Sequence, residues 1–147
     1  MNSVGSGMNE SKDLAWPSYL IDSDVLIDHL RGYQQALDFI GSLFLDDAKV
    51  YFSVISEAEI YSNVRPGEKL AVQALFDSLI RLDVDGEIAR KAGEYRAQYL
   101  RSHSLALPDA LIAATAFIAG ADLITRNARH YPMTDVKVVE PYVLTDR

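Results

Sequence analysis

Short apolar runs of strand length alternate along this chain with longer stretches in which apolar residues recur every three or four positions. Tyr19-Leu20-Ile21, within 18–22, is a run of the first kind that stops abruptly at Asp22-Ser23-Asp24, and it predicts a buried strand. Residues 24–30 predict a short helix closed by Arg31-Gly32. Leu37, Ile40, Leu43 and Phe44 give helical spacing to 34–45, and the β-branched and aromatic segment 50–54 predicts a second strand. A helix over 56–63 follows, then a longer one starting at Pro66-Gly67 with Leu70, Ala74, Leu75 and Leu79 as its apolar set. Residues 82–84 form a short strand candidate, and 86–102 a helix burying Ile88, Ala92, Tyr95 and Tyr99. An alanine-rich helix over 108–119 and strands at 122–125 and 136–139 complete the series. Strands alternating with helices imply parallel pairing, hence an α/β fold with helices sandwiching a sheet.

Composition narrows this further. A chain of 147 residues accommodates one domain with a proper core. Residues 1–17 are polar, rich in small residues and free of core periodicity, so they are expected to be a flexible leader to a domain spanning 18–147. They lack the apolar stretch of a signal peptide, and no run approaches membrane-span length. The absence of cysteine removes disulfides and thiolate metal sites and suits a reducing compartment, so a cytoplasmic location is expected. The net charge of −7 opposes phosphate binding, although Arg90, Lys91, Arg96 and Arg101 form one basic stretch and Arg126 and Arg129 another. Read as ordinary helix surface, the first stretch needs no ligand.

The chemistry-bearing candidates are acids. In an open parallel sheet, ligands bind beyond the carboxyl ends of the strands. Asp22 and Asp24 stand at one such end, and Thr125, Arg126 and Asn127 at another. An N-cap accounts for Ser23 or Asp24, but leaves Asp22 beside buried apolar surface without a partner. Ser56-Glu57-Ala58-Glu59 has the capping-box form, with Ser56 as N-cap and Glu59 three residues on, so capping accounts for Glu59 taken alone. Asp109, after Pro108, sits where a helix N-terminus favours an acid. His29, His103 and His130 form no ligand pair, and there is no nucleophile elbow or phosphate-binding glycine loop. Oxygen-only coordination of a hard divalent cation is the natural chemistry of such a set.

In order, YLIDSDVLIDHLRG (19–32), FSVISEAEIYSNV (52–64), LPDALIAATA (107–116) and ADLITRNARHY (121–131) resemble the PIN-domain family, and more narrowly the VapC-like ribonuclease toxins of type II toxin–antitoxin pairs. The resemblance covers about residues 18–142 and implies a three-layer α/β/α sandwich around a parallel sheet. It also implies acids at the carboxyl edge that bind Mg²⁺ or Mn²⁺. By position, Asp22, Glu59 (rather than Glu57) and Asp109 match the three family acids, with hydroxyls at Ser23 and Thr125. The implied metal ligands are Asp22 and Asp109, with Asp24, Glu59 and Thr125 around them. Two departures are Asp24, where asparagine is common, and Asn127, where many relatives carry a fourth acid; Asn127 would position water, and one metal is expected rather than two. His130 stands where a second acid is frequent. The implied activity is endoribonuclease cleavage of single-stranded or loop RNA, and the implied partners are a cognate antitoxin and a second copy of the chain in a homodimer. The alternative is a PIN-like module that binds RNA or protein without cutting. A phosphatase of the haloacid dehalogenase type, suggested by Asp22-Ser23-Asp24, lacks its downstream lysine and second acidic strand end.

Overall fold

β1 (Ser18–Ile21) is the strand on which the rest of the sheet is built. Its side chains alternate between two buried environments: Leu20 faces one apolar cluster and Ile21 another. Leu123 and Ile124 of β4 (Asp122–Ile124) divide in the same way, so the sheet is covered on both faces, as parallel sheets require. The computed structural model describes residues 16–144, and its sheet has the order β3-β2-β1-β4-β5, with every pairing parallel. The other strands are β2 (Lys49–Ser53), β3 (Ile80–Leu82) and β5 (Val138–Val139). The expected α/β/α sandwich is the observed architecture.

α1 (Ser23–Leu30), α2 (Gln34–Leu45), α3 (Val54–Ser62) and α4 (Lys69–Asp77) contribute Val25, Leu26, Ile40, Leu43, Ile60, Val72, Leu75 and Phe76 to the cluster around Ile21. α5 (Gly86–His103) and α6 (Leu107–Ala119) cover the opposite face with Ile88, Ala92, Tyr95, Ala110, Ile112 and Ala113. The chain therefore runs outward from β1 through β2 to β3, then returns to the other side of β1 as β4. That reversal opens a crevice between the carboxyl ends of β1 and β4, where ligands collect in such folds. The backbones of β1 and β4 stay paired up to its edge, with Asp22 N–H donating to the Ile124 carbonyl at 2.9 Å.

Several boundaries differ from expectation for physical reasons. The strand expected to reach Val54 ends at Ser53, whose hydroxyl accepts from Ile55 N–H and starts α3 at once. The helix expected from Pro66-Gly67 begins at Lys69, because Gly67 has φ +84, a left-handed turn conformation outside any right-handed helix. Its buried stripe is Val72, Leu75 and Phe76; of the predicted set Leu75, and Leu79 just past the helix, are buried, whereas Ala74 is exposed and Leu70 is 84% exposed. The third strand spans Ile80–Leu82 rather than 82–84. Gly32, at φ +82, ends α1 as the sequence anticipates. Pro17 already pairs with the sheet through Lys49 N–H at 2.8 Å; residues 1–15 of the expected leader lie outside the described residues, as do 145–147.

Candidate active site

Asp22, Ser23, Asp24, Glu59, Asp109, Asn127 and His130 line a single cleft of about 310 Å³ at the carboxyl edge of the sheet. Four acids from three separate regions of the chain thus meet where the strand order reverses.

Asp22 is the N-cap of α1, a role the sequence assigned to Ser23 or Asp24. One oxygen accepts from Ser23 N–H at 2.8 Å, and the other accepts from the Tyr131 hydroxyl at 2.8 Å. The carboxylate is 7% exposed and is the opposite of an orphan. Burial, then the charges of Asp22 and Asp109, hold the Tyr131 phenol in its protonated form, so it remains a donor.

Asp24 lies one residue into the helix and reaches across to β4. Its Oδ2 accepts from Arg126 N–H at 3.0 Å, Asn127 Nδ2 at 3.1 Å and, more distantly, Thr125 Oγ1 at 3.4 Å. Oδ1 is buried with no hydrogen-bond partner. Burial first, and repulsion from Asp22 second, push its pKa up to about 6 despite the Arg126 amide. The Asn127 side-chain amide is thus engaged with Asp24, while its backbone N–H donates to Thr125 Oγ1 at 3.0 Å.

The capping reading of Glu59 gives way to a different arrangement. The cap of α3 is Ser53, three residues before Ser56, so Glu59 stands in the second turn and Ser56 is buried inside the helix. Ser23 Oγ lies 2.5 Å from Glu59 Oε1 and 2.9 Å from Ser56 Oγ, which ties α3 to the first turn of α1. Glu57 turns away, held by Arg81 through bonds of 2.8 and 2.9 Å. Asp109 sits in the first turn of α6, as expected, and is half-buried. Desolvation and the nearby Asp22 charge raise its pKa, and Tyr131 and His130 oppose the rise. His130 Nδ1 stands 3.9 Å from Asp109 Oδ2, beyond hydrogen-bond range.

The residues missed in the sequence are those that brace this cluster. Asp28, 3% exposed, takes two bonds from the Arg126 guanidinium, at 2.6 and 3.2 Å, and one from the Tyr142 hydroxyl at 2.8 Å. One turn of α1 therefore grips both the backbone and the side chain of Arg126, through Asp24 and Asp28. Only the four-residue spacing of Asp24 and Asp28 hinted at this; Tyr131 and Tyr142 offered no local signal. Two of the four residues of the basic stretch on α5 are occupied structurally. Lys91 pairs with Asp135 at 3.0 Å, and Arg96 donates to the Leu105 carbonyl at 3.0 Å.

Hard-cation chemistry fits this donor set. All the donors are oxygens, a buried carboxylate oxygen lacks a partner, and two of the acids have pKa values raised partly by the charge of Asp22. Among the described residues, no three acids or histidines form a closed cage. Mg²⁺ is usually held by one or two carboxylates together with waters and substrate phosphates, so a closed cage is not required.

A sequence profile of the PIN domain matches residues 19–136. Two proteins of Mycobacterium tuberculosis are similar: Ribonuclease VapC19, 36% identical over 115 residues, and Ribonuclease VapC10, 42% identical over 115 residues. Each alignment covers 78% of this chain, with 92% of the first protein and 86% of the second. Among solved structures, a toxin–antitoxin complex from Klebsiella pneumoniae contains a chain that superposes with a TM-score of 0.71 at 25% identity, covering 86% of this chain and 99% of that one. The acids at the strand-order reversal thus belong to a fold and a sequence pattern shared over most of the chain: it is a member of the PIN-domain family, in its VapC-like group.

Proposed function

We propose that this protein is an endoribonuclease that hydrolyses phosphodiester bonds of single-stranded or loop RNA with the help of Mg²⁺ or Mn²⁺. The observation that carries this reading is the convergence of Asp22, Asp24, Glu59 and Asp109 in one cleft. Similarity to two ribonucleases over 78% of the chain supports the substrate class.

Asp22 and Asp109 would hold the cation, with Asp24, which lines the same cleft, as a further oxygen donor. The cation, when bound, supplies a Lewis acid that offsets charge building on the phosphate and eases ionisation of water. Tyr131 and the Ser23 amide fix Asp22 in one orientation, so the first acid needs no rearrangement to act. Glu59, oriented by Ser23 Oγ, accepts a proton from the attacking water. Attack at phosphorus breaks the bond to the 3′ oxygen, leaving a 3′-hydroxyl and a 5′-phosphate. Asn127 and the Arg126 amide hold Asp24 in place throughout. A single-stranded substrate suits the open cleft, because a duplex withholds its backbone from the in-line geometry.

The toxin–antitoxin complex among the structural relatives supports a further part of the reading, that the protein pairs with a cognate antitoxin. From the resemblance to the VapC-like toxins we extend this to an antitoxin that blocks the cleft and to a homodimer. No helix among the described residues is long and apolar enough to cross a membrane. The test is cleavage of a structured RNA by the purified protein in Mn²⁺ or Mg²⁺, expected to cease with EDTA or with Asp22→Asn. RNA binding without cleavage, and no thermal stabilisation by either cation, would instead favour the non-cutting PIN-like module.

A further inference from the structure

A second cleft, of about 270 Å³, adjoins the acidic one and shares Asp109 and His130 as its wall. Its remaining polar lining comes from His103 and Ser104, at the turn between α5 and α6, and from Arg129 in the 3₁₀ turn Ala128–His130. The character of the two clefts is opposite: acids dominate the first, whereas the second has one acid at its border, an arginine, two imidazoles and a hydroxyl.

Three features set this second cleft apart from ordinary surface. The Arg129 guanidinium, like those of Arg65, Arg90 and Arg101, makes no hydrogen bond or ion pair with a described residue, whereas Arg31, Arg81, Arg96 and Arg126 are engaged; Arg129 is the one placed in the cleft that adjoins the acids. The turn that faces it is held in an uncommon shape, with Ser104 at φ +51 and the Leu105 carbonyl clamped by Arg96 Nε. His103 Nδ1 lies 2.7 Å from Ser102 Oγ; in the tautomer in which Nδ1 accepts, Nε2 carries a proton to donate. An unpaired guanidinium beside hydroxyl and imidazole donors is a phosphate-binding set.

We infer that this cleft is an RNA subsite, in which Arg129, supported by His103 and Ser104, takes the phosphate of the nucleotide next to the scissile bond. The inference rests on the ribonuclease reading above and extends it. A strand crossing the shared wall at Asp109 and His130 places one phosphate over the acids and its neighbour beside Arg129. On a protein of net charge −7, that cation offsets the repulsion that the acidic cleft and the rest of the surface impose on the strand.

The experiment measures binding of a short fluorescein-labelled single-stranded RNA of random sequence in Mg²⁺, across a salt series, by anisotropy. It uses the full chain carrying Asp22→Asn to prevent cleavage, alone and combined with Arg129→Gln or Arg129→Lys. Asparagine remains a good N-cap, and Arg129 is exposed, so melting curves of the three proteins should superpose. Arg129→Gln is expected to weaken binding several-fold and to reduce the steepness of log K against log salt by about 0.7, the contribution of one phosphate contact on a single strand. Arg129→Lys is expected to restore the slope. An unchanged slope, whether or not affinity falls, overturns the inference. Failure of the ribonuclease reading is separately visible, as absence of cleavage by the wild-type chain or survival of cleavage in Asp22→Asn.

Discussion

Substitution of Asp24 by asparagine should stabilise the cation-free protein near neutral pH. Asp24 carries a charge in a place that disfavours it: burial and Asp22 raise its pKa from 3.8 to about 6. A folded-state pKa above the unfolded value means that the native state binds the proton more tightly. This group therefore favours folding fully below about pH 4, and that benefit is lost as pH rises through about 6. That elevation corresponds to a ceiling of about 3 kcal/mol at neutral pH, and partial contact with solvent reduces it to about 1–2 kcal/mol. Asparagine keeps an acceptor for the Arg126 amide and Asn127 Nδ2 and exchanges one unpaired buried atom for another, so hydrogen bonding changes little. For a chain of this length the expected rise in Tm is about 3–6 °C at about pH 7.5 in EDTA, shrinking to about a third of that at about pH 4.5. Circular dichroism melts of both proteins at the two pH values read this directly. A variant less stable than wild type at the higher pH, or an equal difference at both, would refute the electrostatic argument. With Mg²⁺ added, the order should narrow or reverse, because the cation stabilises the wild-type charge that asparagine lacks.

Other consequences follow from the same geometry. Tyr131→Phe removes the donor to a buried carboxylate and should cost about 1.5–3 kcal/mol in urea denaturation, with a weaker dependence of stability on Mn²⁺. Ser23→Ala releases Glu59 and should lower kcat about 10-fold or more while leaving KM for RNA nearly unchanged, measured by initial cleavage rates. Arg126→Ala strands the Asp28 charge, 3% exposed, and should destabilise by about 3–5 kcal/mol, detected as a lower urea midpoint. Leu70→Ala should change stability by less than about 0.5 kcal/mol, whereas truncating Leu75 on the observed buried face should cost about 2–5 kcal/mol.

Particular residues show why some of this was legible in the sequence. Leu20-Ile21 and Leu123-Ile124 are continuous apolar pairs ended by polar residues, the pattern of strands buried on both faces, so β1 and β4 and their carboxyl ends were readable without partners. Order then placed Asp22 at the edge. Glu59 was harder: Ser53 and Ser56 are both plausible caps three residues apart, and only the absence of any loop after β2 decides for Ser53. α4 offered two overlapping apolar stripes, and the choice between Leu70 and Val72 depends on which side the sheet lies, which helical periodicity cannot encode. Tyr131 on Asp22, and Tyr142 on Asp28, join positions more than a hundred residues apart and leave no local trace.

The central claim is that the clustered acids make this protein a cation-dependent ribonuclease. The direct test incubates the wild-type chain, Asp22→Asn and Asp109→Asn with a structured RNA in Mn²⁺ or Mg²⁺, with EDTA controls, and maps the product ends. Cation-dependent cuts bearing 5′-phosphates, lost in EDTA and reduced at least about 100-fold in both variants, are the predicted result. Cleavage that persists in EDTA and in both variants would contradict it.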